Sequence, residues 1–205
     1  MEQRTPEWFA VRAGKVTASR LGDLTAKTKT GYAASRANYM AQLVCERLTG
    51  MPQESFSNSA MQRGTDQEPI ARAEYESLRM VFVDEMGFAP HPTIENAGAS
   101  PDGLVGVNGL IEIKCPNTAT HIETLLSGEP DAKYVKQMQW QMACTDRTYC
   151  DFVSFDPRMP ENLRLFIKRV ERDDKLIAEL EEEVRKFLAE LEEKCNKLKG
   201  LQNAR

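Results

Sequence analysis

Three residues in this chain have the types and spacing to do phosphate chemistry. They are Asp102, in Ser100-Pro101-Asp102-Gly103-Leu104, and Glu112 and Lys114, in Leu110-Ile111-Glu112-Ile113-Lys114-Cys115. Two carboxylates supply hard oxygen ligands for Mg²⁺, which is held through one or two carboxylates plus waters and phosphate oxygens. A lysine beside them can orient or deprotonate an attacking water, while its charge offsets the negative charge that builds on a phosphate under attack. Between Leu110 and Cys115 polar and apolar residues alternate, so a strand projects Glu112 and Lys114 from one face. Asp102 is expected on a Pro-Asp-Gly turn, with Gly103 reversing the chain toward that strand. Taken alone, the three are equally compatible with a turn aspartate and a solvated strand face carrying a cross-pair.

Other residues bear on the same chemistry, each with a plainer alternative. Glu68 could be a third acid presented by a helix, or it could close a capping box with Thr65 in Thr65-Asp66-Gln67-Glu68. Arg12 could grip a phosphate or be an ordinary surface arginine. Ser19 could donate to a phosphate at a helix start, where free N–H groups favour anions, or simply cap that helix. Gln137 and Gln141 lie one turn apart on one helix face among Met138, Trp140 and Met142. That face is turned either to solvent or to something other than core.

The elements that must position these residues are legible in outline. Thr5-Pro6-Glu7 opens a short helix with Thr5 as cap, and Thr17 or Ser19 caps a second entry. Thr28 to Gly31 is a polar loop. Residues 34–48 form an amphipathic helix stopped by Gly50 and Pro52, and 59–80 a further helix interrupted near Gly64. Strand pieces at 81–83 and 87–89 precede a hairpin of 97–103 and 104–115, turning at Asn108-Gly109. A helix over 131–144 and strands at 149–155 and 165–167 follow. The last element is a long helix over about 173–199, with Leu176, Leu180, Val184, Phe187, Leu191, Cys195 and Leu198 in one apolar stripe, read as packing surface rather than a partner-binding zipper. Helices, a strand cluster carrying the motif, then helix–strand–strand–helix predict an α/β layered domain.

Gross composition fits a soluble globular protein: 205 residues, 41% hydrophobic and 28% charged. This predicts a single domain over 1–205, with a core at about 5–172 and the terminal helix beyond it. No apolar run approaches the ~20 residues that span a bilayer, and Met1-Glu2-Gln3-Arg4 lacks the apolar stretch of a signal peptide, so a cytoplasmic protein with no membrane partner is expected. Five cysteines (Cys45, Cys115, Cys144, Cys150, Cys195) form no C-x-x-C pair and only two histidines are present, which makes reduced thiols the expectation and a zinc site not. A net charge of −4 is unusual for a nucleic-acid binder. The charge is uneven, however, with Arg4, Arg12, Lys15, Arg20, Lys27, Lys29, Arg36 and Arg47 near the start and much of the acid around 179–193. Local field rather than total charge steers DNA.

Taken in order, the blocks Trp8…Arg12-Ala13-Gly14-Lys15-Val16-Thr17-Ala18-Ser19, Gly64…Glu68, Ser100-Pro101-Asp102-Gly103-Leu104, Leu110-Ile111-Glu112-Ile113-Lys114-Cys115-Pro116, Gln137-Met138-Gln139 and Phe155-Asp156-Pro157-Arg158-Met159 resemble the lambda exonuclease (YqaJ-like) family of viral-type recombination nucleases, within the PD-(D/E)xK superfamily. The resemblance covers roughly residues 5–175. It implies a restriction-endonuclease-like core, a mixed central sheet flanked by helices. It implies a two-Mg²⁺ site, with Mn²⁺ as substitute, held by Asp102, Glu112 and the carbonyl of Ile113, with Glu68 in support. Lys114 would activate or orient the water with Gln137 nearby, and Arg12, Ser19 and Ser100 would grip a 5′-phosphate. The implied activity is that of an alkaline-type, double-strand-specific 5′→3′ deoxyribonuclease. It would degrade one strand of linear duplex DNA processively to a 3′ overhang, as a homotrimeric ring paired with a single-strand annealing protein. Arg20 after Ser19 and the acidic helix beyond 173 depart from the family pattern. Two other readings compete: a restriction-type endonuclease of the same fold, and a non-catalytic DNA-binding recombination factor.

Overall fold

The computed structural model describes residues 2–53 and 59–202. The chain opens with α1 (Pro6–Arg12), where the Thr5 hydroxyl accepts the N–H of Trp8 and Pro6 sits in the first turn. β1 (Val16–Thr17) leads through a single 3₁₀ turn (Ala18–Arg20) into α2 (Leu21–Thr25). The capping expected of Thr17 or Ser19 is not made: the 3₁₀ turn starts at Thr17 without a side-chain bond, and α2 starts after Arg20. The polar loop expected at 28–31 is the tip of a small antiparallel hairpin, β2 (Lys27–Thr28) and β3 (Gly31–Tyr32). α3 (Ala34–Thr49) ends, as its sequence indicates, at Gly50 in the left-handed region.

α4 (Ser59–Arg79) is continuous, without the interruption expected near Gly64. Thr65 and Glu68 therefore form no capping box. A cap needs the free N–H groups of a helix start, and here those residues lie inside the helix. Pro69 removes one helical hydrogen bond, which burial of Ala71 and Tyr75 against the sheet offsets.

β4 (Val83–Asp84), β5 (Ala89–Pro90), β6 (Ala97–Ala99), β7 (Gly103–Val105) and β8 (Gly109–Lys114) follow. The single hairpin expected over 97–115 is split between two sheets. β6 joins a three-stranded sheet in the order β1-β6-β5, parallel to β1. β7 and β8 form the actual hairpin, with Val105 opposite Gly109. Its loop is 106–108, turned by Gly106 at φ 54°, so no Asn108-Gly109 turn exists. Gly103 does not reverse the chain either. It lies within β7, where a Cβ would stand 2.1 Å from Val83 Cγ1, so the need is for close packing rather than for a special backbone angle.

α5 (Thr118–Ser127) occupies a segment for which the sequence reading proposes no element. Its best local signal is Asn117, whose side chain accepts the N–H of Thr120 at 2.9 Å. α6 (Ala132–Thr145) is capped by Asp131. β9 (Tyr149–Phe155) matches its sequence bounds, while β10 (Leu165–Glu171) runs past the expected Ile167 because it pairs antiparallel with the whole of β9. α7 (Asp174–Gln202) closes the chain.

The larger sheet has the order β10-β9-β8-β7-β4, with β8 parallel to β9 and the remaining pairs antiparallel. Side-chain alternation along β8 puts Leu110, with Cys150 and Phe152 of β9, against Met138 and Met142 of α6. Ile111 and Ile113, with Val153 and Phe155, meet Ala71 and Tyr75 of α4 on the opposite face. The sheet is thus a layer between two helices, the mixed α/β arrangement expected. A second core gathers α2, α3, β1 and β6 around α7, where Leu180, Val184, Phe187, Leu191 and Cys195 are buried and Leu198 stays 40% exposed. The apolar stripe is packing surface over most of its length. Trp140 of α6 is buried in that second core and so joins the two. All five cysteines are free thiols. Among the described residues no helix is long and apolar enough to cross a membrane.

Candidate active site

β8 aims Glu112 and Lys114 at α6, as the alternation in sequence requires. Glu112 is completely buried. A carboxylate in that position is expensive unless its oxygens are engaged, and here both are. Oε1 accepts the Gln137 amide at 2.7 Å and pairs with the Lys114 ammonium, while Oε2 accepts the Gln141 amide at 2.6 Å. The glutamine face of α6 is therefore neither solvent-exposed nor core-like; it is buried against a carboxylate. Gln139, on another face, donates to the Glu171 carbonyl and accepts the Asp173 N–H, both at 2.8 Å, which fixes the entry to α7.

Asp102 lies between β6 and β7, half-buried, and its Oδ2 accepts the N–H of Ile113 at 2.7 Å. Arg72 of α4 donates to the Asp102 carbonyl at 3.1 Å and holds that stretch of chain from the opposite side. Burial, then the negative charge of Glu112 and more weakly Glu68, push the Asp102 carboxyl up to about 8, against the pull of Lys114 and the Ile113 N–H. For Lys114 burial favours the neutral form, but the charges of Glu112 and Asp102 outweigh it and leave the pKa raised.

Crowded carboxylates with one resident ammonium form a cluster that favours an added cation, and an all-oxygen donor set suits Mg²⁺ or Mn²⁺. Among the described residues no three His, Cys, Asp or Glu side chains converge closely enough to enclose an ion by themselves. Two carboxylates and a main-chain carbonyl would leave coordination positions for water and phosphate oxygens, as Mg²⁺ commonly has. Glu68, one turn before Arg72 on α4, reaches this region, but its carboxylate is paired with Arg4 at 2.6 Å. The structure thus brings Asp102, Glu112, Ile113, Lys114 and Gln137 together and leaves Glu68 at the margin.

The remaining expected residues gather nearby. A cavity of about 700 Å³ is lined by Trp8, Arg12, Lys15, Ser19, Arg20 and Tyr39, among others. The Arg12 guanidinium lies 3.8 Å over the Trp8 ring, and Arg12 Nη1 and Trp8 Nε1 each donate to the Ser100 hydroxyl at 3.0 Å. Among the described residues no carboxylate is within ion-pair distance of Arg12, and burial pushes its pKa down to about 10, with Tyr39 and Glu46 opposing. A half-buried guanidinium that no described carboxylate pairs is a place for an anion, although Glu46 also lines the cavity. Ser19 is exposed at the edge of this cavity. Ser100 precedes Asp102 by two residues, about 7 Å of extended chain at most, so the cationic cavity and the carboxylate cluster are adjacent.

From sequence Trp8 and Arg72 are not expected in this site, and Gln141 is expected on the face of Gln137 but not at Glu112. Helical spacing held the signal for two of them: Gln141 is four residues after Gln137, and Trp8 four before Arg12. Arg72 acts through a main-chain carbonyl, which leaves no trace in side-chain patterns.

A family model described as a YqaJ-like viral recombinase domain matches residues 7–148. The chain is similar to the crystal structure of an alkaline exonuclease, LHK-Exo from Laribacter hongkongensis, at 57% sequence identity and a TM-score of 0.92, covering 98% of this chain and 99% of that one. LHK-Exo in complex with dAMP matches at 58% identity with the same TM-score and coverage. A phage-related exonuclease from Haemophilus somnus 129PT matches at 17% identity and a TM-score of 0.71, over 90% of this chain and 96% of that one, a likeness of fold alone. No curated protein matches this chain in sequence.

Proposed function

The chain belongs to the YqaJ-like viral recombinase family, and from that premise we propose that it is a DNA exonuclease of recombination, hydrolysing phosphodiesters of one strand of linear double-stranded DNA from the 5′ end. The observation that carries the reading is the meeting of Asp102, Glu112 and Lys114 beside a cavity in which Arg12 has no carboxylate within ion-pair distance among the described residues. The alkaline exonuclease LHK-Exo, similar along nearly the whole chain, supports it, as does its complex with dAMP, a nucleoside monophosphate of the kind such a reaction releases.

Asp102, Glu112 and the Ile113 carbonyl would hold Mg²⁺, two ions in all with Glu68 in support and Mn²⁺ as substitute. Bound there, the cations supply Lewis-acid stabilisation of phosphate oxygens and acidify water. The chain's own residues do the rest. Lys114, paired with Glu112, offsets negative charge developing on the phosphate and activates or orients the attacking water. Gln137 keeps the Glu112 carboxylate in place. Arg12, with Ser19 and Ser100, binds the 5′-phosphate of the strand being shortened, which leaves the first phosphodiester over the carboxylates. A homotrimeric ring around the duplex, working processively and handing its 3′ overhang to a single-strand annealing protein, would suit a net charge of −4, since a closed ring stays on DNA without strong phosphate attraction.

Digestion of a linear duplex labelled at one end at a time, with and without Mg²⁺ and a 5′-phosphate, tests this. Mononucleotide release from 5′-phosphorylated ends, dependent on the metal and slowed in Arg12→Ala, is expected. Internal cuts or attack on closed circles would favour an endonuclease, and no cleavage with any divalent metal a DNA-binding factor. Equal digestion of ends with and without phosphate would remove the role given to Arg12, Ser19 and Ser100.

A further inference from the structure

Glu112 has two oxygens, and α6 sends one glutamine to each. Gln137 meets Oε1 beside the Lys114 ammonium, and Gln141 meets Oε2 at 2.6 Å. A carboxylate oxygen that takes part in a cation site only accepts, so the Gln141 amide must turn its NH₂ to Glu112 and its carbonyl away. That carbonyl oxygen is buried and has no hydrogen-bond partner among the described residues. The residue as a whole is 0% exposed, next to Met138, Trp140 and Met142, which are equally buried. An unsatisfied buried acceptor is a standing cost that a leucine or methionine of similar size would remove. Packing therefore does not account for an amide here. Its contact with Glu112 does.

We propose that Gln141 is a positioning residue for the cation site, locking the Glu112 carboxylate in one orientation by holding Oε2 while Gln137 holds Oε1. With Gln137 and Lys114 both on Oε1 and nothing on Oε2, the carboxylate could swing about its last bond. Glutamines at i and i+4 on one helix hold both oxygens and remove that freedom before the cation arrives. A ligand already ordered binds more tightly than one that must be ordered on binding, so the effect falls on metal affinity rather than on DNA binding. The inference rests on the reading of Asp102 and Glu112 as cation ligands.

The test is Mn²⁺ titration of DNA-free protein, followed by electron paramagnetic resonance, for the wild type, Gln141→Leu and Gln141→Met. Mn²⁺ affinity is expected to fall about 10- to 100-fold in both variants, with KM for duplex DNA unchanged and most of kcat recovered at saturating metal. Unchanged Mn²⁺ affinity would overturn the proposal, and so would kcat lost at saturating metal with affinity intact. Failure of both variants to fold would overturn it as well, since the amide would then be serving stability. The underlying reading fails separately, through a wild type that binds no Mn²⁺ or an Asp102→Asn variant that binds it as well.

Discussion

Divalent-cation binding should strengthen with pH up to about pH 8 and then level off, because a proton and a metal ion compete for the Asp102 carboxyl. This carboxyl is half-buried beside Glu112 and receives one main-chain N–H, and its pKa is pushed up to about 8 from the ordinary 3.8. Below that value the ionised fraction falls about tenfold per unit, so the apparent affinity at pH 6 should be on the order of 100-fold weaker than its plateau. Isothermal titration of DNA-free protein with Mn²⁺, from pH 6 to 9 at constant ionic strength, reads this directly. Asp102→Asn should bind weakly at every pH and lose the slope. Stability carries the opposite sign in metal-free protein. A carboxyl whose folded pKa is raised contributes stability that is complete below about pH 4 and lost as pH climbs through about 8. Metal-free protein should therefore melt at a lower temperature at pH 9 than at pH 6, and added cation should reverse the difference. A wild-type affinity that is flat between pH 6 and 8 would refute the reasoning, since it would mean that Asp102 is already ionised or does not meet the metal.

Two further outcomes follow from the same geometry. Lys114→Ala should lower the cleavage rate by about 100-fold or more while retaining binding of duplex DNA in a filter or anisotropy assay; near-normal turnover would remove Lys114 from the chemistry. Gly103→Ala would place a methyl 2.1 Å from Val83 Cγ1 and 3.3 Å from Ile111 Cγ2, so thermal unfolding should show a loss of about 1–3 kcal/mol. Because the strained strand begins one residue after Asp102, Mn²⁺ affinity should fall with it, and wild-type stability would show that β7 can shift freely.

The parts of the fold that were legible before the structure are those set by short-range periodicity and capping. Thr5-Pro6 marks the start of α1, alternation from Leu110 to Lys114 marks β8, and the stripe from Leu176 to Cys195 marks α7, each through spacings of four residues or fewer. Where two local signals compete, the sequence is ambiguous and packing arbitrates. The Thr65…Glu68 pattern looks like a helix start, yet burial of Ala71 and Tyr75 on the sheet carries α4 straight through it. Asn108-Gly109 looks like a hairpin turn, yet Gly106 makes the turn, because the register of β7 on β8 pairs Val105 with Gly109. Thr118–Ser127 holds few strong helix formers, and only its ends, the Asn117 cap and the left-handed Gly128, announce α5.

The sequence by itself determined the chemical inventory: an acid and a lysine at strand spacing with a second acid ten residues upstream, an arginine one helical turn from a tryptophan, and two glutamines one turn apart. Tertiary structure decided what each of them meets. Gln137 and Gln141 reach Glu112 across 25 and 29 residues, and Arg12 reaches Ser100 across 88. No local rule pairs groups at such separations. The glutamines meet Glu112 because burying the apolar faces of β8 and α6 against each other brings Glu112 inside with them, and a buried carboxylate must then find donors on the helix that covers it.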